Sequence, residues 1–246
     1  MLAVWCVGQT SSAIPEAAGG VLKLRVKVKT GEATKGLSRK RFFLIKGSLE
    51  QNKTLVEAID RQPLTTRECY YARAGASSSL ITWLKENDCE SVYCRELEEE
   101  DVEGPHAVSE FATALTDGEK IFGSRQLALK WLTVNLPARL RDGFYRERQN
   151  QIAAIIKQAE ATSGARVLSV MTDRNGTAYF TDLEVGNYTL SNMVGTEIGP
   201  SISLWNCDLQ IKADDLAAEK PYLISNRKDK NVKCVAVEKP LPACTQ

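Results

Sequence analysis

Thr172–Leu190 reads TDRNGTAYFTDLEVGNYTL, and this stretch decides the fold. The Asn175–Gly176 pair accepts positive φ and turns one strand into the next, with Asp173 opening the turn. Tyr179 and Phe180 supply an aromatic step. Gly186 then permits a second tight reversal. Tyr188, a ring with a polar tip, and Leu190 belong to the closing strand. The stretch predicts the turn-and-strand core of a small β-sandwich, and it carries no catalytic motif.

Working outward, Val21–Thr30 (VLKLRVKVKT) alternates without a break. Leu22, Leu24, Val26 and Val28 face one way and Lys23, Arg25, Lys27 and Lys29 the other, the pattern of a half-buried strand. Lysines on the outer face also discourage edge-to-edge pairing. Gly31–Ser38 reads as a loop and Arg41–Lys46 (RFFLIK) as a second strand. Strand character returns at Ala165–Met171 and continues through Tyr188–Ser191. It resumes in Ile202–Lys212, where Trp205, Cys207, Leu209 and Ile211 share a face, and in Val232–Val237.

Between these two groups, from about Ser48 to Ser163, the pattern is helical. Ser79 is expected to cap a helix running to Glu86, a second helix spans His106–Leu115, and Ser124 caps a third reaching Asn135. Pro137 suits the first turn of a long helix to Ala161, closed by Ser163–Gly164. Its stripe of Leu140, Phe144, Ile152, Ile155 and Ala159 reads as core. Two early strands alone cannot bury a sheet face, so an interrupted sandwich explains the order better than two tandem domains.

The T-D-R-N-G-T-A-Y-F…V-G-N-Y-T-L pattern resembles the carboxypeptidase regulatory-like domain, a transthyretin-like β-sandwich. Asp173, Asn175 and Gly176 match its turn, Phe180 its aromatic step, and Gly186 and Tyr188 its closing strand. Val185 stands where that family usually has proline. The resemblance implies a non-catalytic structural or binding module found alongside peptidases, surface proteins and outer-membrane receptors. It covers about 20 residues strongly and leaves the helical block without a family. The fold class implied is α+β: a transthyretin-like sandwich with a large helical insertion between its second and third strands. The expected division is 1–20 as a signal or N-terminal segment, 21–47 as the first strands, 48–163 as the insertion, and 164–246 as the remaining strands and tail.

Cysteine usage points to export. The chain has seven cysteines, and Cys6 lies in an apolar run, Met1–Val7, that resembles the tail of a secretory signal cleaved near Gly8 or Ala13. Removing it leaves Cys69, Cys89, Cys94, Cys207, Cys234 and Cys244, an even six that allows three disulfides. Cys89 and Cys94 form a reasonable local pair, and the other pairings stay open. Zinc is not expected, because the only near spacing is C-x4-C and His106 is the only histidine.

The remaining chemistry is sparse. His106 and Glu110 have helical spacing but need further ligands to hold a metal. Glu96–Glu103 reads as a solvated acidic loop, and Ser77–Ser79 lacks a nucleophile elbow. Asp173 and Asn175 serve the turn without calcium. Asn52, Asn175 and Asn187 each head a glycosylation sequon. With 32 basic against 31 acidic residues, the net charge of +1 offers no argument for nucleic acid. No apolar run is long enough for a membrane span. The expectation is therefore an exported, cofactor-free, non-enzymatic module in the periplasm, at the cell surface or outside the cell, with a protein or surface ligand as partner. The alternative is a hydrolase with acid–base carboxylates among Glu98–Asp101 and Glu110.

Overall fold

The computed structural model describes residues 19–244. Met1–Val7, Cys6 and the expected cleavage positions lie outside the described residues.

The chain is mixed α+β. Strand β1, Gly20–Thr30, has the expected alternation: Leu22, Leu24, Val26 and Val28 are buried while Lys27 and Lys29 are exposed. Gly31–Ser38 is not all loop. Gly31, at φ +58°, helps make a tight reversal, and β2, Ala33–Gly36, folds back antiparallel on β1 with Thr30 opposite Ala33. Its residues are mostly exposed, so no apolar period marks it in sequence. The turn, not burial, creates it. Strand β3, Arg41–Lys46, follows as expected, but Phe42 and Leu44 bury on one side while Phe43 and Ile45 bury on the other.

The helical block comes next: α1 Lys53–Asp60, α2 Arg67–Arg73, α3 Ser78–Glu86, α4 Glu99–Val102, α5 Ser109–Phe122, α6 Arg125–Lys130, a 3-10 turn at Leu132–Asn135, α7 Ala138–Arg141 and α8 Gly143–Ser163. It lies between the third and fourth strands, not the second and third, because β2 adds to the count. Four local expectations also shift, the first being that the helix capped by Ser124 ends at Lys130 and a 3-10 turn carries the chain to Asn135. Ser77, not Ser79, caps α3, its Oγ accepting the Leu80 N–H at 3.1 Å. The helix expected from His106 starts at Ser109, with His106 exposed in the preceding turn. The helix expected from Pro137 to Ala161 breaks at Asp142, where φ is −149° and ψ is 8°, and Gly164 ends α8 in the left-handed region.

The remaining strands are β4 Leu168–Met171, β5 Thr177–Leu183, β6 Gly186–Ser191, β7 Thr196–Ile198, β8 Ser201–Leu204, β9 Asn206–Ile211, β10 Tyr222–Ser225, β11 Cys234–Val235 and β12 Val237–Pro240. One sheet runs β11-β10-β1-β2, with β5 also antiparallel on β1, and a second runs β4-β3-β6-β9, all antiparallel. Side chains of both enclose one core: Leu24 and Val26 from β1, Phe180 from β5, Leu44 from β3, Leu190 from β6 and Leu209 from β9. The third sheet is β12-β8-β7.

Ile202–Lys212, expected as one strand, is two strands in different sheets, separated at Trp205. Asn192 explains the change of sheet. Its Oδ1 accepts the Trp205 N–H at 2.9 Å and its Nδ2 donates to the Ser203 carbonyl at 3.1 Å, so the backbone groups leaving the ladder stay satisfied. Trp205 is fully buried, edge-on to Phe42, with its Nε1–H donating to the Ser225 carbonyl at 2.9 Å.

The other face of β3 packs under α1 and α8, where Phe43 and Ile45 meet Leu55, Ile59, Ile152, Ile155 and Ala159. A separate helical core holds Tyr71, Leu80, Trp83, Phe111, Leu140 and Phe144. The stripe of α7 and α8 is thus core throughout, but it serves two clusters and joins the helical block to the sheet. Among the described residues no helix is long and apolar enough to cross a membrane.

Candidate binding cleft

The turn at 172–177 is built by hydrogen bonds from its own polar side chains. Asp173 Oδ1 accepts the backbone N–H groups of Asn175 and Thr177, both at 2.8 Å. Gly176 takes the positive φ, +78°, and Asn175 does not share it. Thr172 anchors the turn to the β2–β3 connection, its Oγ1 donating to the Leu37 carbonyl at 2.6 Å and accepting the Lys40 N–H at 3.0 Å. Removing the Asp173 carboxylate strands two N–H groups, so Asp173→Ala is expected to lower stability by about 1–2 kcal/mol in urea unfolding.

The other residues of the motif are scaffold. Phe180 is buried in the sandwich core, and Gly186 opens β6 at φ +152°. The Tyr188 hydroxyl donates to the Glu184 carbonyl at 3.1 Å and accepts from Lys46 Nζ at 3.3 Å. That hydrogen bond, working against partial burial and aided by Glu184, raises the Lys46 ammonium above its ordinary value. Of the three sequon asparagines, Asn52 is buried, with Nδ2 donating to the Lys46 and Gly47 carbonyls and to Thr189 Oγ1, while Asn175 and Asn187 are exposed.

All six candidate cysteines are paired: Cys69–Cys244, Cys89–Cys94 and Cys207–Cys234. The first joins residues 175 positions apart and brings the C-terminal tail against α2. Between the tail, the helical block and the sandwich lies an open cleft of about 800 Å³. The sandwich wall presents Arg25, Lys35 and Arg174, and the helical wall presents Glu68, Lys85 and Glu86. Thr177 Oγ1 accepts from Arg25 at 2.6 Å and so orients its guanidinium. The 172–177 turn therefore has a second effect, which is to place Arg174 and Asn175 on the cleft.

Lining and adjoining the cleft, a charge network that is buried or half-buried except at exposed Asp88 joins sandwich and helices. Lys40 reaches Asp88 at 3.3 Å and Glu90 at 3.9 Å, Arg67 reaches Asp88 and Glu197 at 3.6 Å, and Arg148 reaches Glu90 at 3.5 Å. Arg67 also donates to the Leu84 and Cys89 carbonyls at 3.0 and 2.9 Å, which satisfies donors that burial would otherwise leave unmatched. Sequence reasoning missed this network. Its members are spread from residue 40 to residue 197, and no local pattern connects them.

The acidic residues considered for acid–base chemistry are held elsewhere. Asp101 is buried, accepting from Trp83 Nε1 at 2.7 Å, from Arg95 at 2.6 Å and from the Glu98 N–H at 2.8 Å. Glu96–Glu103 is thus not a plain solvated loop, since its second half forms α4 around that buried carboxylate. Glu99 and Glu103 pair with Arg125 at 2.7 and 2.6 Å. His106 lies outside α5 and shares no helix face with Glu110.

Glu110 accepts from the Ser77 N–H and Ser77 Oγ, both at 2.6 Å, and from Ser109 Oγ at 3.0 Å. Burial works to raise its carboxyl, but these hydrogen bonds outweigh burial and hold it below the ordinary carboxylate range. A folded-state value below the unfolded one stabilises the fold above the unfolded value, and that stability is lost as pH falls through the folded value. Glu110→Ala is therefore expected to cost about 1 kcal/mol at pH 7, after allowance for solvent screening, and less at pH 3, as read by urea unfolding at both.

No family model matches the chain, and no curated protein matches its sequence. Among solved structures it has a weak likeness to a β-rich protein, the pilus backbone RrgB of Streptococcus pneumoniae, at 9% identity and a TM-score of 0.22. The match covers 78% of this chain and 35% of that one, so the chain spans about a third of that protein's length.

Proposed function

We propose that this protein is an exported, non-catalytic binding module whose ligand lies in the cleft between a transthyretin-like sandwich and the helical block. The observation that carries the reading is the division of charge in the cleft. Two carboxylates lining it, Asp88 and Glu197, are engaged by Lys40 and Arg67, while Lys35 and Arg174 stand exposed with no carboxylate partner among the described residues. Engaged carboxylates hold a scaffold together, whereas exposed cations around a concavity favour reversible binding. Function also tends to sit on segments that a rigid scaffold displays. Three disulfides support an oxidising compartment.

Protein secreted into an oxidising compartment should gain the mass of six hydrogens on reduction of its three disulfides. Six free thiols in that material would remove the export part. Ester, glycoside and peptide substrates should show no turnover above background. Turnover that disappears in Glu110→Gln would replace the binding reading with the hydrolase one.

A further inference from the structure

We infer that the cleft takes an extended acidic peptide rich in aliphatic side chains. This rests on the proposed reading of the cleft as a binding site and names what it binds.

The first observation is electrostatic. The sandwich wall carries three cations, Arg25, Lys35 and Arg174, none of which has a carboxylate partner among the described residues; Arg25 is bonded to the Thr177 hydroxyl. On the facing wall Glu68 is neutralised by Lys85 at 3.6 Å, which leaves Glu86 as the unmatched carboxylate. A ligand with acidic groups on one side is drawn to the sandwich wall and turned away from Glu86.

The second observation concerns the apolar lining. Its large members are aliphatic: Ile81 on α3 and Leu241 on the tail are half-buried and accessible, while Leu37 and Ile198 back the cleft from within the sandwich core. No described lining residue is aromatic. Nucleic-acid bases are held on aromatic platforms, and sugar rings stack on such faces as well, so the lining favours neither. Aliphatic side chains of a peptide fit it.

The third observation is shape. The cleft holds about 800 Å³, a volume that small-molecule sites also have, but it is open to solvent and does not enclose its contents, which suits a segment of chain. An extended chain sends alternate side chains to opposite sides. Alternating acidic and aliphatic residues would then meet the cationic wall on one side and Ile81 and Leu241 on the other.

The test uses the disulfide-intact chain and a fluorescein-labelled (Asp-Leu)4 peptide, with (Lys-Leu)4 as its counterpart. Anisotropy should show saturable binding of the acidic peptide that weakens at least tenfold in K35E/R174E and weakens with added salt. Both substituted side chains are exposed, and an unchanged urea midpoint checks the fold. Hydrogen exchange should slow at residues 33–38 and 174–176 on binding. Equal binding of (Lys-Leu)4 with that same footprint overturns the acidic ligand class and leaves the cleft as a binding site. Absence of cleft protection by either peptide overturns both.

Discussion

Gly176→Ala is expected to lower the unfolding free energy by about 3–4 kcal/mol, a sum of left-handed backbone strain and a lost buried hydrogen bond. Gly176 sits at φ +78°, where a Cβ costs energy even in open space. The space is also closed. A Cβ there would run into the Val26 carbonyl oxygen and come within 2.7 Å of the Leu37 nitrogen. Both neighbours are backbone, so no side chain can swing aside. Relief requires the turn to move away from β1, which breaks the 2.7 Å hydrogen bond from the Val26 N–H to the Gly176 carbonyl. Urea unfolding followed by tryptophan fluorescence, to which buried Trp205 and Trp83 both contribute, reads the loss. Asn175→Ala is the control: its side chain is exposed and only its backbone serves the turn, so it should stay within about 0.5 kcal/mol. Similar losses for the two variants would show that the turn is not what seats β5 on β1.

The second large effect concerns the Cys69–Cys244 disulfide. In the chain-entropy account, closing a loop of 175 residues stabilises the native state by about 5 kcal/mol, and residual structure in the unfolded chain reduces the measured figure to about 3–5 kcal/mol. Cys69→Ser/Cys244→Ser should therefore unfold at markedly lower urea concentration than the parent. The Cys89–Cys94 bridge spans 5 residues and should contribute less to the denatured state. The longer bridge also shapes the cleft. Leu241–Cys244 lies in no strand or helix, and beyond the disulfide its backbone is held, among the described residues, by one hydrogen bond, from the Leu241 N–H to the Pro200 carbonyl at 3.3 Å. Without the bridge, amide exchange at residues 241–244 should speed up at constant denaturant. A tail that stays protected in the double-serine protein would show that packing, not the crosslink, forms that wall.

Legibility in the sequence followed the range of the forces involved. The β1 alternation, the 172–177 turn and the helical character of the middle third were readable, because each depends on residues within a few positions of one another. The even set of six cysteines was readable as a count. Strand β2 was not, since its exposed residues pair through a tight turn and show no buried period. Nor was the break at Asp142, because Leu140 and Phe144 keep helical spacing across it and both bury in the helical core. The split at Trp205 depended on Asn192, thirteen residues earlier, satisfying backbone groups between two sheets.

The candidate site was less legible than the fold. Arg174 and Asn175 belong to the motif that marks the sandwich, yet their place on a cleft wall depends on α3 and the C-terminal tail arriving opposite. Six half-cystines allow 15 pairings, and the one that straps the tail to α2 is set by which sulfurs packing brings together. The network of Lys40, Arg67, Asp88, Glu90, Arg148 and Glu197 likewise exists only once sandwich and helices have docked. By itself the sequence determined strand faces, turn chemistry and helical content, since short-range sterics and hydrogen bonding act without the rest of the fold. The tertiary structure alone decided where the helical block sits, which cysteines join and which charges meet. Those contacts close loops of tens to hundreds of residues, and only the burial of three shared cores sustains them.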